Sequence, residues 1–85
     1  MLELRFSSQA RRFLKKVDKT TWERLIKKIK SLQKEPFPQE VERVKGEKEK
    51  TFRVRVGSHR ILYVIVTDIN TLFISKIDKR PRAYN

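Results

Sequence analysis

The sequence predicts a single α+β domain in which an N-terminal strand and a two-helix hairpin pack on a twisted antiparallel sheet of about four strands. Apolar residues recur at helical spacing between residues 8 and 34, whereas residues 52–56 alternate apolar and basic side chains with the period of a half-buried strand. The chain has 85 residues, which is enough for one shared hydrophobic core and no second domain. We therefore treat residues 1–85 as one domain.

The chain is strongly basic. It carries 22 lysine and arginine residues against 10 aspartate and glutamate residues, for a net charge of +12. Such an excess on a small domain favours a polyanionic partner, either nucleic acid or a ribonucleoprotein. Binding to a membrane surface is the second possibility, but it requires a strongly amphipathic helix with a broad apolar face.

Composition also bears on the compartment of the protein. No apolar run approaches the roughly 18 residues of a membrane-spanning helix, and the N-terminal segment MLELRF lacks the apolar core of a signal peptide. The chain has no cysteine, which excludes disulfide scaffolds and cysteine-based zinc sites. We therefore expect a cytoplasmic protein that does not bind membranes.

The first third of the chain predicts one strand and two helices. Leu2, Leu4 and Phe6 alternate with charged residues, as in a strand with one apolar face, and Ser7 or Ser8 can cap the helix that follows. A break at Asp18-Lys19 separates the helices, and Thr20 with Glu23 matches the capping box of the second one. The apolar positions of the two helices are Ala10, Phe13, Leu14, Val17, Trp22, Leu25, Ile26, Ile29 and Leu32. We expect Phe13 and Trp22 to be core anchors.

The rest of the chain predicts the sheet. Pro36 and Pro38 end the second helix, and a short strand through Val41 and Val44 ends at Gly46. Residues 47–50 form a solvated loop. The sequence predicts a turn at Thr67–Asn70 and the last strand at Thr71–Asp78.

The most informative segment is a basic hairpin. Phe52–Val56 and His59–Val66 flank Gly57-Ser58, a good two-residue hairpin loop. Counting outward from that turn pairs Val56 with His59, Arg55 with Arg60, Val54 with Ile61 and Arg53 with Leu62. Directly paired residues share a face, so Arg53, Arg55 and Arg60 collect on the face opposite the core. The nearby acids, Asp68 and Asp78, lie near strand ends, so no acidic neighbour is obvious, and an anion is the natural partner of the three guanidinium groups.

The same counting extends to the last strand. It pairs Val66 with Thr71, Val64 with Phe73 and Leu62 with Ser75. This register leaves Leu62, Val64 and Phe73 beside the arginines. The second face of the sheet is therefore predicted to be partly apolar and available to a partner.

The order of these elements, with the segments RVKGEKEKTFRVRVGSHRILYVI and DKRPRAY, resembles the RelE/ParE superfamily of toxin-antitoxin systems over essentially the whole chain. The most telling features are the residue before Gly46, the alternating basic strand, the glycine turn followed by Arg60, and the pair Lys79-Arg80. The resemblance to the RelE branch implies a ribosome-dependent endoribonuclease that cuts messenger RNA in the decoding site without a metal or other cofactor. It also implies a cognate RelB-like antitoxin that binds the toxin in a hetero-oligomer and holds it inactive. The implied partners are the antitoxin and the ribosome, through 16S ribosomal RNA and the message.

The resemblance assigns catalytic positions residue by residue. Arg53 and Arg55 match two basic strand residues near the scissile phosphate, Arg60 a hairpin arginine, Arg80 an arginine after the last strand, and Tyr84 a C-terminal tyrosine. The implied RNA-binding residues are Lys45, Lys79 and Arg82, and no metal ligands are implied. The tail that carries Tyr84 is about two residues shorter than the family pattern, and arginines stand where that pattern has lysines.

Three chemical roles are needed when RNA is cut by its own 2′-hydroxyl group: a base, a stabiliser of the phosphorane charge and an acid. Arginine fills the second role well, but a pKa above about 12 makes it a poor base and a reluctant acid. Tyr84 is the best candidate base, because nearby arginines would favour its phenolate. His59 is the only histidine, and its place on the core side of the hairpin favours a structural role.

Two other functions are compatible with the sequence. A ParE-like toxin would inhibit DNA gyrase by binding and would cut nothing. A degenerate member would have lost catalysis and would survive as a module that binds RNA or the antitoxin. Convergent phosphate-contacting arginines and Tyr84 favour the nuclease, because a pure binder does not need them.

Overall fold

The computed structural model describes residues 1–79 and has the predicted α+β architecture. Two helices cover one face of a sheet whose strands follow in the order β1-β5-β4-β3-β2. The elements are β1 (Glu3–Phe6), α1 (Ser8–Lys16), α2 (Lys19–Lys34), β2 (Glu42–Val44), β3 (Thr51–Val56), β4 (His59–Val66) and β5 (Thr71–Lys79), with a short 3-10 turn at Thr67–Ile69. Neither helix in this part of the chain is long and apolar enough to cross a membrane.

The sheet is larger and less uniform than the sequence predicted. It has five strands, and β1 runs parallel to β5, so the sheet is mixed where we expected an antiparallel sheet of about four strands. Two helices and three strands separate β1 from β5 along the chain, so no hairpin turn sets the direction of this pair. β1 and β5 then share the apolar face that the helices cover.

Local sequence signals set the ends of both helices. The Ser7 hydroxyl accepts a hydrogen bond from the Ala10 N–H, so Ser7 caps α1 as predicted. The N-cap of α2 is Asp18, whose carboxylate accepts from the Thr21 N–H at 3.2 Å. The Thr20 capping box was therefore wrong by two positions, because an aspartate at the break is an equally good cap and comes first. The second helix ends at Lys34, before Pro36, as predicted.

The hairpin between β3 and β4 has the predicted register. Val56 pairs with His59, Arg55 with Arg60, Val54 with Ile61 and Arg53 with Leu62. Gly57 has a φ of +60°, which the turn requires and which glycine adopts without steric cost.

The pairing of β4 with β5 departs from the prediction at one point. Val66 pairs with Thr71 and Val64 with Phe73 as predicted, but Leu62 pairs with Lys76, because the register shifts between Leu62 and Tyr63. The predicted Leu62–Ser75 pair is therefore wrong. Ser75 is the extra residue of a β-bulge, and every residue after it faces the side opposite to the predicted one.

The core lies between the helices and the sheet. Its fully buried side chains include Leu25, Ile29, Leu32, Val54, Ile61, Tyr63, Leu72, Ile74 and Ile77. Phe13 packs against this cluster, as predicted. Trp22 is 42% exposed and is not the core anchor that we expected. It shares a helical face with Leu25 and Ile29 but lies in the first turn of α2, at the end of the buried stripe.

Candidate functional site

The face of the sheet opposite the helices carries the predicted arginine cluster, Arg53, Arg55 and Arg60. Arg55 and Arg60 are directly paired across β3 and β4, so their Cα atoms are about 5 Å apart. Arg53 lies two residues before Arg55 and therefore on the same face. The structure thus brings three of the predicted catalytic residues together.

Two of the three arginines have acidic partners that the sequence did not reveal. Arg53 donates from Nε and Nη2 to Oε1 of Glu42, at 3.1 and 2.8 Å. Arg60 donates from Nε to Oδ1 and from Nη2 to Oδ2 of Asp78, both at 3.0 Å. Arg55 is exposed and has no ion pair among residues 1–79. The expectation of an arginine cluster without acidic neighbours was therefore wrong for Arg53 and Arg60.

Strand pairing explains both acidic partners. Glu42 pairs with Arg53 across β2 and β3, and Asp78 pairs with Arg60 across β4 and β5. The register predicted for β5 would have placed Ile77 opposite Arg60. The bulge at Ser75 turns Ile77 into the core and Asp78 toward the arginine.

Apolar residues border the arginine cluster on the same face. Leu62 and Phe73 are half-buried, as expected of residues beside the arginines, whereas Val64 is only 8% exposed. A cavity of about 340 Å³ lies beside Val64 and Phe73, and its lining also includes Glu47, Lys48, Glu49, Thr51 and Ser75. The loop after β2 thus covers part of the apolar surface that the sequence left open.

A basic groove runs along the edge of the sheet, next to the cluster. It has a volume of about 370 Å³ and is lined by Arg24, Lys27, Lys28, Ser31, Arg55, Val56 and Gly57. β2 pairs only with residues 51–53 of β3, so the edge of β3 beyond Arg53 is open on this side among the described strands. Lys28 donates to Glu40 at 2.7 Å, and this hydrogen bond lowers the pKa of the Glu40 carboxyl.

The other predicted site residues lie elsewhere. Lys45 is an exposed residue just after β2. Lys79 pairs with His59, so both lie on the side of the sheet opposite Arg60 and Asp78. The His59 ring contacts the edge of Phe13, at 5.7 Å between ring centroids, in keeping with the structural role expected of it. Arg80, Arg82 and Tyr84 fall outside the described residues.

Tyr63 is the tyrosine within the described region, and it lies on the core side. Its hydroxyl donates to the Pro36 carbonyl at 2.6 Å, and burial raises its pKa to about 12. A phenol that is buried on the opposite face and hard to ionise cannot serve as a base for chemistry at the arginines. Tyr63 is therefore excluded as that base.

The arrangement suits the recognition of phosphate. Three guanidinium groups on one face offer planar pairs of N–H donors that match phosphate oxygens and remain charged at any relevant pH. The exposed Arg55 stands between the two paired arginines in sequence, and it is the least neutralised of the three. The arginine face of the sheet can therefore stabilise negative charge on a phosphate and orient that phosphate.

Comparisons with known proteins agree with this fold. The family described as "ParE toxin of type II toxin-antitoxin system, parDE" matches residues 4–84. The RelE1 protein of Methanocaldococcus jannaschii, whose curated name classes it as a toxin, is 39% identical over 59 residues, which are 66% of this chain and 64% of that relative's length. The chain thus spans somewhat under two thirds of that curated relative.

Solved toxin structures match nearly the full chain. The RelE of the RelE-RelB complex of Pyrococcus horikoshii superposes with a TM-score of 0.81 at 24% identity, covering 96% of this chain and 98% of that one. The RelBE2 complex of Mycobacterium tuberculosis matches with a TM-score of 0.78 at 29% identity, over 93% of this chain and 98% of that one. The chain therefore belongs to the RelE/ParE superfamily of toxins of type II toxin-antitoxin systems, and its named relatives lie in the RelE branch.

Proposed function

We propose that this toxin is a metal-independent endoribonuclease that cuts messenger RNA in the ribosomal decoding site and so inhibits translation. The observation that carries the proposal is the convergence of Arg53, Arg55 and Arg60 on the face of the sheet that the helices leave uncovered. A gyrase inhibitor that acts by binding alone does not need phosphate-binding groups gathered at one point.

In this reaction the 2′-hydroxyl gives up its proton and attacks the adjacent phosphorus, and the bond to the 5′-oxygen breaks. The 5′-oxygen takes up a proton, so the products are a 2′,3′-cyclic phosphate and a 5′-hydroxyl. Arg55 and Arg60 neutralise the charge that builds up on the non-bridging oxygens, and Arg53 orients the substrate strand. Arg80 is a further proposed stabiliser of this charge, and Tyr84 is the proposed base. The ribosome presents the message with the 2′-hydroxyl in line, so we expect little cleavage of naked RNA.

The proposed partners follow from the charge and from the relatives. A net charge of +12 favours 16S ribosomal RNA and the message, with Lys45, Lys79 and Arg82 as proposed RNA contacts. The solved relatives in complex with RelB support a cognate antitoxin for this chain as well. An acidic antitoxin segment would neutralise and cover the arginines. Such targets lie in the cytoplasm.

A ParE-like inhibition of DNA gyrase is the second candidate. Two observations favour it: the matching family is that of ParE toxins, and carboxylates already pair with Arg53 and Arg60. A catalytically inactive module that binds RNA or the antitoxin is a variant of this reading.

Primer extension on a defined message in a translation extract tests the proposal. Wild type is compared with Arg60→Ala, Arg80→Ala and Tyr84→Phe. New 5′ ends at decoding-site codons that disappear in Arg60→Ala support the nuclease. An intact message, together with loss of supercoiling in a parallel gyrase assay, would transfer the assignment to the ParE-like activity. If the message stays intact and gyrase stays active, the remaining assignment is the catalytically inactive module that binds RNA or the antitoxin.

A further inference from the structure

Asp78 holds the guanidinium of Arg60 through a bidentate ion pair. Two parallel hydrogen bonds of 3.0 Å join the Nε and Nη2 side of the guanidinium to the two carboxylate oxygens. The side chains of Arg60 and Asp78 are 25% and 24% exposed, so the pair is better shielded from water than a surface ion pair. Bidentate pairing of this kind fixes the plane of the guanidinium as well as its position.

The chain uses a β-bulge to build this pair. In an unbroken strand Ile74, Lys76 and Asp78 would share the core face, because side chains alternate. The extra residue at Ser75 instead lets Ile74 and Ile77 both enter the core and sends Asp78 to the arginine face.

Side chains at the start of α1 hold the bulge. The Ser7 hydroxyl donates to the Ser75 carbonyl at 2.8 Å. The Gln9 amide donates to the Ile77 carbonyl at 2.8 Å and accepts from the Ile77 N–H at 2.9 Å. Gln9 thus takes the place of a neighbouring strand beyond the end of β1. Gln9 therefore fixes the backbone at Ile77, the residue just before Asp78.

The pair of Glu42 and Arg53 is built differently. A single oxygen of Glu42 accepts both hydrogen bonds, and the Glu42 side chain, on the edge strand, is 50% exposed. The Glu42 carboxylate is therefore more open to competition from solvent anions than the Asp78 carboxylate is. Glu42 therefore competes with an anion for Arg53, whereas Asp78 has the geometry and the burial to remain in place when an anion binds.

We infer that Asp78 is a positioning residue, which holds Arg60 in the orientation that stabilises the transition state; this inference rests on the nuclease activity proposed above. The two hydrogen bonds fix the plane of the Arg60 guanidinium and its direction on the sheet face. The negative charge of Asp78 weakens the attraction of RNA to this face, and Lys76, 3.7 Å from Oδ2, offsets part of it. The benefit of Asp78 therefore lies in the chemical step and not in binding.

Single-turnover cleavage on ribosomes programmed with a defined message tests the inference. Asp78→Asn keeps the shape but loses the charge and one acceptor, so we expect the saturating rate constant to fall at least tenfold while the half-saturating toxin concentration changes less than threefold. Asp78→Glu restores a bidentate acceptor and should recover part of the rate. Glu42→Gln should instead lower the half-saturating concentration. Asp68→Asn, at an exposed turn position, is the control for the loss of one acidic charge.

A double-variant comparison separates positioning from a structural role. Because Asp78 acts through Arg60, Arg60→Ala with Asp78→Asn should be no slower than Arg60→Ala alone. Circular dichroism first establishes that each variant is folded at the assay temperature. A rate for Asp78→Asn within twofold of wild type, or losses that multiply in the double variant, would overturn the inference.

A spectroscopic readout distinguishes failure of the inference from failure of the proposed function. The Nε–H proton of Arg60 should give a resolved, slowly exchanging NMR signal in wild type that is lost in Asp78→Asn. If wild type does not cut, the nuclease proposal fails and the positioning role, which rests on it, fails with it; the Arg60 signal then reports only whether the ion pair forms in solution. If wild type cuts and Asp78→Asn cuts equally well, the inference alone fails.

Discussion

The contact of Gln9 with the backbone of Ile77 gives a measurable prediction about how the bulge is held. Gln9→Met keeps the length of the side chain and removes both hydrogen bonds, of 2.8 and 2.9 Å. Each bond contributes about 0.5–1.5 kcal/mol net, so we expect the free energy of unfolding to fall by about 2 kcal/mol. For a domain of this size that loss lowers the melting temperature by about 8–16 °C.

Urea denaturation followed by circular dichroism measures this loss. The matched control is Gln39→Met, because Gln39 is exposed and has no side-chain hydrogen bond among the described residues. We expect the control to stay within about 0.5 kcal/mol of wild type. If Gln9→Met is as stable as Gln39→Met, Gln9 does not hold the bulge that brings Asp78 to Arg60.

Three further predictions concern the rest of the fold. Tyr63→Phe should cost about 1 kcal/mol at neutral pH, because the Pro36 carbonyl loses its donor. Between pH 10 and about 12 the folded wild type keeps the phenolic proton of Tyr63 while the unfolded chain releases it, so wild type should lose stability as the pH rises. Tyr63→Phe should not show this loss. Equal pH slopes of the unfolding free energy for the two proteins in urea titrations would contradict the prediction. Ile77→Ala should lower the free energy of unfolding by about 2–5 kcal/mol, because Ile77 is fully buried. Ile69 is 63% exposed, so Ile69→Ala should lower it by almost nothing. Similar losses of stability in the two variants would mean that Ile77 is outside the core. Gly57→Ala should cost about 1–2 kcal/mol because of its φ of +60°, and unchanged thermal unfolding would argue against that turn.

The hairpin and its arginines could be predicted because the signals are local. A two-residue turn fixes the register by counting alone, and the alternation of Phe52–Val56 fixes which face is buried. The cap at Ser7 and the end of α2 before Pro36 are equally local. These features depend on interactions between residues that are close in sequence.

The acidic partners could not be predicted, because they depend on distant contacts. The bulge at Ser75 is held by Ser7 and Gln9, whose bonds to β5 span 68 residues of sequence. Ile74 and Ile77 are three residues apart, so a regular strand would place one of them on the arginine face. Because that face also carries Phe73, the spacing alone does not reveal the bulge. The parallel pairing of β1 with β5 likewise joins the two ends of the described chain and leaves no local mark.

The pairing of Glu42 with Arg53 was missed for a related reason. Three residues of β2 carry too little alternation to fix a register, and the loop from Lys45 to Lys50 is too long for counting. The sequence therefore located the cationic half of the site and overlooked the carboxylates that orient or compete with it.

The uncovered face of the sheet performs the proposed cleavage, and a pair of matched arginine variants tests this role most directly. Arg55→Gln and Arg12→Gln each remove one exposed positive charge, the first from the arginine cluster and the second from α1. Single-turnover cleavage of a message on programmed ribosomes should slow by about 100-fold in Arg55→Gln, as for the loss of one group that stabilises the developing charge, and by less than about threefold in Arg12→Gln. Equal rates for the two variants would mean that Arg55 adds only charge, and that the reaction takes place elsewhere on the molecule.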